Sequence, residues 1–363
     1  MDRNITSACH TGVIAEDVDA VLDDVGGTLT ALRGTTLLVT GAQGFLCSYF
    51  VETVAALNDR GLDPPCRVVA ADNLRTGVSE RLSHLTGRPD IVFRHVDVSR
   101  PVDFGERVDW IIHGASVASP SFYRRHPLET IDVNAGGTRH MLNLARSAQA
   151  KGMLYLSTSE IYGDPDASFI PTPEDYRGYV SCTGPRACYD ESKRLAETLC
   201  QTYLSLYEVP VKVVRPFNVY GPGQRLDDGR IIPDLMRAAL NRQPLVLFSD
   251  GRASRAFCYV SDAIRAMWRV LIEAPKGAIF NVGNDESETT IVDVARHVQR
   301  AAGPPTLPTE HRISPDAQYL TDNPRRRLPD LSRLRGCCSW QPKVTLADGL
   351  ARTLRSYQEA SRL

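Results

Sequence analysis

The chain has 363 residues, 42% of them hydrophobic, enough to bury one large α/β core with an appended lobe. Its 42 Lys and Arg nearly balance 43 Asp and Glu, giving a formal net charge of −1; no whole-chain field favours nucleic acid or an anionic membrane, and an anionic ligand must be met by local arginines. The nine cysteines, at 9, 47, 66, 182, 188, 200, 258, 337 and 338, include no CxxC pair. With no run of about 18 apolar residues and no basic-then-apolar N-terminus, this predicts a reduced, cytoplasmic protein without disulfide framework, metal site or membrane span.

Residues 1–34 form the first segment. Its middle is acidic (Glu16, Asp17, Asp19, Asp23, Asp24), and Ile14, Val18, Val21 and Leu22 recur at helical spacing. That predicts a short amphipathic helix packed beside the main domain, with no chemistry of its own. From Thr35, short apolar runs alternate with helix-length amphipathic segments, the pattern of βα units on a parallel sheet. The runs are Thr36–Thr40, Arg67–Ala71, Ile91–Arg94, Trp110–His113, Met153–Ser157 and Val211–Arg215. The fold class is therefore α/β, a doubly wound parallel sheet of Rossmann type over residues 35–217. Prolines and glycines crowd in after Pro216, so residues 218–363 read as a smaller, loop-rich, ligand-binding lobe, interrupted by a return to the first domain at 257–285.

Between the first strand and the first helix, Phe45–Leu57, stands Gly41-Ala-Gln43-Gly44-Phe45-Leu46-Cys47. A glycine-rich turn opening a helix brings backbone N–H groups to a pyrophosphate, whose charge the helix dipole favours. The second strand ends in Asp72-Asn73. A carboxylate there can accept both ribose hydroxyls and repel a 2′-phosphate, which selects NAD over NADP; a turn-capping role is the alternative. Asp97 and Val98, after the third strand, are placed under the adenine, with an exposed loop aspartate as the alternative.

Tyr189 and Lys193 lie four residues apart, on one face of one helix. A nearby lysine cation favours the phenolate and makes tyrosine usable as a base near neutral pH.

With these motifs the chain resembles the extended short-chain dehydrogenase/reductases that act on nucleotide-sugars, and among them the UDP-glucuronic acid decarboxylases. The resemblance runs from Thr36 to Tyr357, carried by Ser157-Thr-Ser-Glu-Ile-Tyr-Gly-Asp-Pro165, Gly184-Pro-Arg-Ala-Cys-Tyr-Asp-Glu-Ser-Lys-Arg-Leu-Ala-Glu197, Asp228-Gly-Arg230 and Arg255-Ala-Phe-Cys-Tyr-Val-Ser-Asp262. One departure is Cys47, where such enzymes normally carry the third glycine of the turn. The resemblance implies catalytic roles for Thr158, Ser159, Glu160, Tyr189, Lys193 and Arg327. Sugar 4,6-dehydratases have Asp-Glu where this chain has Ser159-Glu160, and simple 4-epimerases replace the glutamate by a small residue; loop capping is the bland alternative for this pair. Tyr123 and Arg327 match residues that meet the sugar carboxylate. Arg325 and Arg326 stand next to Arg327 within Asp322–Asp330, so its register and a solvated basic turn both stay open. Asn218, Arg230 and Arg255 fit contacts to the nucleotide diphosphate and sugar. The implied reaction is decarboxylation of a nucleotide-linked hexuronic acid, UDP-glucuronate, through transient C4 oxidation with NAD as cofactor, in a homodimer joined through the helix after Asn134 and the one carrying Tyr189. A 4-epimerase, a 4,6-dehydratase and a non-catalytic NAD-binding protein are the alternatives.

Overall fold

The computed structural model describes residues 10–362 except 287, 316, 317, 319, 320, 322 and 323; residues 1–9 of the N-terminal segment, and Asp322 and Asn323 of the basic segment, lie outside the described residues. In chain order the elements are α1 (Gly12–Leu29), β1 (Thr36–Thr40), α2 (Phe45–Asp59), β2 (Arg67–Asp72), β3 (Ile91–His95), β4 (Trp110–His113), α3 (Pro120–Tyr123), α4 (Pro127–Ile131), α5 (Thr138–Ser147), β5 (Gly152–Leu156), α6 (Ala187–Tyr207), β6 (Val211–Pro216), β7 (Val219–Tyr220), α7 (Ile231–Leu240), β8 (Leu245–Leu247), β9 (Ser254–Ala256) and β10 (Cys258–Tyr259). Then follow α8 (Val260–Glu273), β11 (Ile279–Val282), β12 (Glu288–Thr290), α9 (Ile291–Ala302), β13 (Thr309–His311), β14 (Arg326–Arg327), α10 (Ser332–Cys337) and α11 (Leu346–Ala360).

The main sheet runs β11-β6-β5-β4-β1-β2-β3, all parallel. Its strands are covered on both faces, so they read as continuous apolar runs. Alternation splits them: Leu37, Val39, Val68, Ile112 and Leu154 join the core under α2 and α8, while Leu38, Val69, Ile111, Met153 and Val213 join the core under α5 and α6. The strand order reverses between β1 and β4, which opens a crevice at their C-terminal ends.

The sheet has a seventh strand beyond the six runs legible in the sequence. β11 pairs with β6 in register Ile279↔Val213 to Val282↔Pro216. Asn281 interrupts its apolar pattern; its buried amide is satisfied by Tyr162 Oη at 2.7 Å and by the carbonyls of Thr172 and Asp330 at 2.9 and 3.1 Å.

The N-terminal helix does more than pack beside the domain. Thr11 caps α1, whose apolar stripe lies against α8, α2 and α11. Its acids tie basic side chains from distant segments: Asp24 holds Arg265, Arg269 at 2.7 Å and Lys343 at 3.0 Å, and buried Asp17 accepts from Arg352 at 2.7 Å and Tyr259 Oη at 2.8 Å. Burial pushes the Asp17 carboxyl up to about 6 despite those donors. The second lobe gathers α7, α9 and a three-stranded sheet β12-β9-β14 beside the crevice.

Candidate active site

The glycine turn sits at the crevice. Gly41 has φ +71°, and a Cβ there would meet the backbone of Ala115 at 2.9 Å; only glycine leaves this space open. Gly44 caps α2, and Gly44, Phe45 and Leu46 at its start line a cavity. Gln43 lends a buried side-chain oxygen with no hydrogen-bond partner among the described residues. Both oxygens of Asp72 are used: one accepts from Gln43 N at 2.9 Å, the other from Leu74 N at 2.8 Å. The turn-holding and ribose-facing readings of Asp72 are thus compatible, since each carboxylate oxygen has a second lone pair. A cavity of about 590 Å³ is lined by Gly41, Gly44, Asp72, Asn73, Asp97 and Val98. A pyrophosphate-linked dinucleotide fits these features: an open turn at a helix N-terminus, then a carboxylate at the next strand end.

Cys47 has a structural counterpart in Gly114. A Cβ on Gly114 would stand 2.2 Å from Cys47 Sγ, so the thiol occupies space that Gly114 leaves just after β4. Gly114→Ala should therefore destabilise the protein by about 1–3 kcal/mol through overpacking, and Cys47→Gly in the same chain should restore most of it in thermal melts. A Gly114→Ala protein that melts like its parent would refute this pairing.

The glycine turn continues into a second cavity of about 270 Å³ lined by Phe45, Leu46, Cys47, Tyr123, Thr158, Ser159, Glu160, Arg186, Tyr189, Lys193, Asn218 and Arg230. Tyr189 is 5% exposed and stacked on Tyr123, ring centroids 5.0 Å apart and 8° from parallel. Burial pushes its phenol up to about 12, against the pull of Arg230 and a hydrogen bond with Thr158. The Lys193 ammonium donates to Leu156 O at 2.7 Å, lies over the Tyr189 ring 6.0 Å from its centroid, and is pushed down to about 7 by burial. The Arg230 guanidinium also favours the ionised phenol, and it donates to Ala118 O at 2.7 Å.

Glu160 is the electrostatic centre. Both nitrogens at the tip of Arg327 meet its two oxygens, Nη2 to Oε2 at 2.9 Å, and Arg186 bonds that same Oε2. These guanidiniums hold the Glu160 carboxyl well below the usual carboxylate range, against the burial that opposes it. Of the three neighbouring arginines, Arg326 in β14 turns outward to Glu288 at 2.7 Å while Arg327 turns inward, 6% exposed.

A third cavity, of about 1040 Å³, adjoins the second across Tyr123, Glu160, Arg186, Asn218 and Arg230, and is also lined by Arg255 and Arg327. Asn218 adopts φ +41° and donates to Ala256 O at 3.3 Å. The Arg255 guanidinium donates to the carbonyls of Ser254, Pro324 and Arg325 and so anchors the segment that carries Arg327. Burial and Arg327 push it down to about 10. Arg186 escaped the sequence reading although it stands one helical turn before Tyr189, inside the quoted Gly184–Glu197 segment. His10, Glu52 and His84 also approach one another closely enough for a metal, but Arg81 already holds Glu52 through both oxygens, at 2.5 and 2.6 Å.

Residues 37–283 match the model of the NAD dependent epimerase/dehydratase family, and the chain belongs to that family. It is 38% identical over 319 residues to UDP-glucuronic acid decarboxylase 6 of Arabidopsis thaliana, covering 86% of each chain. It is 36% identical to UDP-glucuronic acid decarboxylase 1 of Xenopus tropicalis, covering 89% of this chain and 72% of that one. Among solved structures, it is similar to the dTDP-glucose 4,6-dehydratase DesIV of Streptomyces venezuelae with NAD and TYD bound (TM-score 0.76, 26% identity, 90% and 97% covered). It shares its fold with the epimerase Mth375 of Methanothermobacter thermautotrophicus (TM-score 0.81, 24% identity, 94% and 97% covered).

Proposed function

We propose that this chain is a UDP-glucuronic acid decarboxylase that uses NAD. The observation that carries the reading is Glu160 held between two arginines one cavity wall from Tyr189 and Thr158, in a chain 36–38% identical to such decarboxylases over most of its length. The residues of the 590 Å³ cavity, with Phe45, Leu46, Tyr189 and Lys193 of the 270 Å³ cavity that shares the glycine turn with it, would hold the dinucleotide. When bound, NAD supplies a reversible hydride acceptor for the sugar C4.

Tyr189 takes the proton of the 4-hydroxyl, and Thr158 hydrogen-bonds the same oxygen. Oxidation at C4 places a ketone β to the C5 carboxylate. The C5–carboxyl bond then breaks, its electron pair delocalises toward the C4 oxygen, carbon dioxide leaves, and a proton is added at C5. Arg327, with its planar fork, and Tyr123 orient the carboxylate beforehand. Ser159 and Glu160 keep water and charge in place beside C5. Asn218, Arg230 and Arg255 line the way to the nucleotide diphosphate. Reduction of the C4 ketone gives a pentose; slow reduction releases the 4-keto sugar.

The test is to mix the purified protein and NAD+ with UDP-glucuronate and follow the products by mass and by released carbon dioxide. Loss of carbon dioxide is expected. Loss of water, or an isomer of unchanged mass, would replace this reading by the dehydratase or epimerase alternative.

A homodimer is part of the same proposal. The helices expected to meet a second copy are α5, after Asn134, and α6, on which Leu195 and Leu206 are 50 and 65% exposed; on α4, which packs on α6, Leu128 and Ile131 are 71 and 40% exposed. Light scattering at micromolar concentration should return twice the chain mass, and a monomer mass would end this part of the proposal. A cytoplasmic location is supported by the eight described cysteines, all unpaired. Among the described residues no helix is long and apolar enough to cross a membrane.

A further inference from the structure

Two buried polar atoms beside Tyr189 lack a hydrogen-bond partner among the described residues: Tyr123 Oη and Arg186 Nε. Tyr123 is 1% exposed, and leaving such a hydroxyl unpaired is costly unless a ligand atom meets it. Arg186 gives its far nitrogen to Glu160, while its Nε faces Asp190 only at 3.7 Å, beyond hydrogen-bond reach. Both residues line the cavity that holds Tyr189 and Thr158, and both reach the larger one that holds Arg327. The Tyr123 ring lies parallel to that of Tyr189 at 5.0 Å, so the two phenols address neighbouring positions of one bound molecule. In a hexuronate the 4-hydroxyl and the carboxylate stand on adjacent ring carbons. A group at Tyr189 that is the 4-hydroxyl therefore leaves the carboxylate beside Tyr123 and Arg186.

We propose that Arg186 is a specificity-determining residue: it grips the sugar carboxylate from the α6 side while Arg327 grips it from the β14 side, and Tyr123 Oη bonds it as well. The assignment rests on the decarboxylase reading and deepens it. Glu160 is then the fixed anion that holds both guanidiniums at the site, and the ligand carboxylate joins it as the second. Arginine at this position makes the neutral sugar of UDP-glucose the poorer ligand, because that sugar leaves a buried guanidinium and a buried hydroxyl unmatched.

The experiment is calorimetry of NAD-loaded protein with UDP-glucuronate and with UDP-glucose. Arg186→Ala should weaken UDP-glucuronate by about 10- to 100-fold, the range of a hydrogen bond to a charged group, and leave UDP-glucose within about twofold. Arg186→Lys, which keeps the charge and gives a second variant should the alanine protein fold poorly, should recover only part of the loss. The same Arg186→Ala change in a Glu160→Gln background should still lower the preference for the acidic sugar. Disappearance of the effect there would reduce Arg186 to a residue that positions Glu160, and equal weakening of both ligands would make it a general contact; either result overturns the proposal. If the parent protein releases carbon dioxide from UDP-glucuronate and Arg186→Ala keeps the parent's preference, this assignment alone falls. If the parent neither prefers UDP-glucuronate nor decarboxylates it, the decarboxylase reading falls and takes the assignment with it.

Discussion

Tyr189→Phe is expected to bind NAD and UDP-glucuronate nearly as the parent does while turnover falls by roughly 10²- to 10⁴-fold, the contribution typical of a positioned proton-transfer group. The ring is what packs: it stacks on Tyr123 within a buried wall, and phenylalanine keeps that contact. Only the hydroxyl is lost, and with it the atom that meets Thr158 and the sugar 4-hydroxyl. The phenol, pushed up to about 12 by burial, is a group whose proton-accepting form must be favoured by nearby positive charge, and Arg230 already acts in that sense. Arg230→Gln should therefore shift the pH dependence of turnover to higher pH, whereas Tyr189→Phe removes the step at every pH. Steady-state and single-turnover rates together with calorimetric affinities check this. A Tyr189→Phe protein with more than about a tenth of the parent rate would take Tyr189 out of the mechanism.

Much of the fold was legible in the sequence because the central strands are covered on both faces and so announce themselves as apolar runs. β1 and β4 coincide with Thr36–Thr40 and Trp110–His113, and β2, β3 and β6 differ only by a residue at one end. β11 was not legible as a strand, because four residues that include a buried Asn281 have too little periodicity to stand out. Its amide is satisfied by groups 49 to 119 positions away, which no local pattern reveals. The same reason hid the work of α1. Asp17 and Asp24 look like solvated acids on an amphipathic helix until the chain returns with Arg352, Arg265 and Arg269, more than 240 residues later. In the site, motif spacing placed Tyr189, Lys193, Thr158 and Glu160 around one cavity, yet it could not show that Lys193 bonds Leu156 or that Arg255 holds backbone carbonyls. Arg186 went unread because its importance lies in its contact with Glu160, 26 positions away.

Glu160→Gln is expected to separate binding from turnover: UDP-glucuronate should bind about tenfold tighter, UDP-glucose should be little changed, and the rate of carbon dioxide release should fall by about 10²-fold or more. Arg186 and Arg327 hold Glu160 ionised, so an incoming sugar carboxylate approaches the same guanidiniums in the presence of a fixed negative charge. Two like charges about 5 Å apart repel by roughly 3 kcal/mol at an effective dielectric near 20, and glutamine removes that repulsion while its amide oxygen still accepts from one arginine. Half of the repulsion relieved corresponds to the tenfold gain. Turnover moves the other way because a neutral amide no longer holds both guanidiniums rigidly, and the charge beside C5 that keeps water placed for protonation is gone. Arg327→Ala should do the reverse to binding, weakening UDP-glucuronate by about 1.5–3 kcal/mol while sparing UDP-glucose. Calorimetry with both ligands and single-turnover measurement of carbon dioxide give the comparison. If Glu160→Gln weakened both ligands equally, Glu160 would be a structural anchor for the second lobe, and the carboxylate site would have to be sought away from the two arginines.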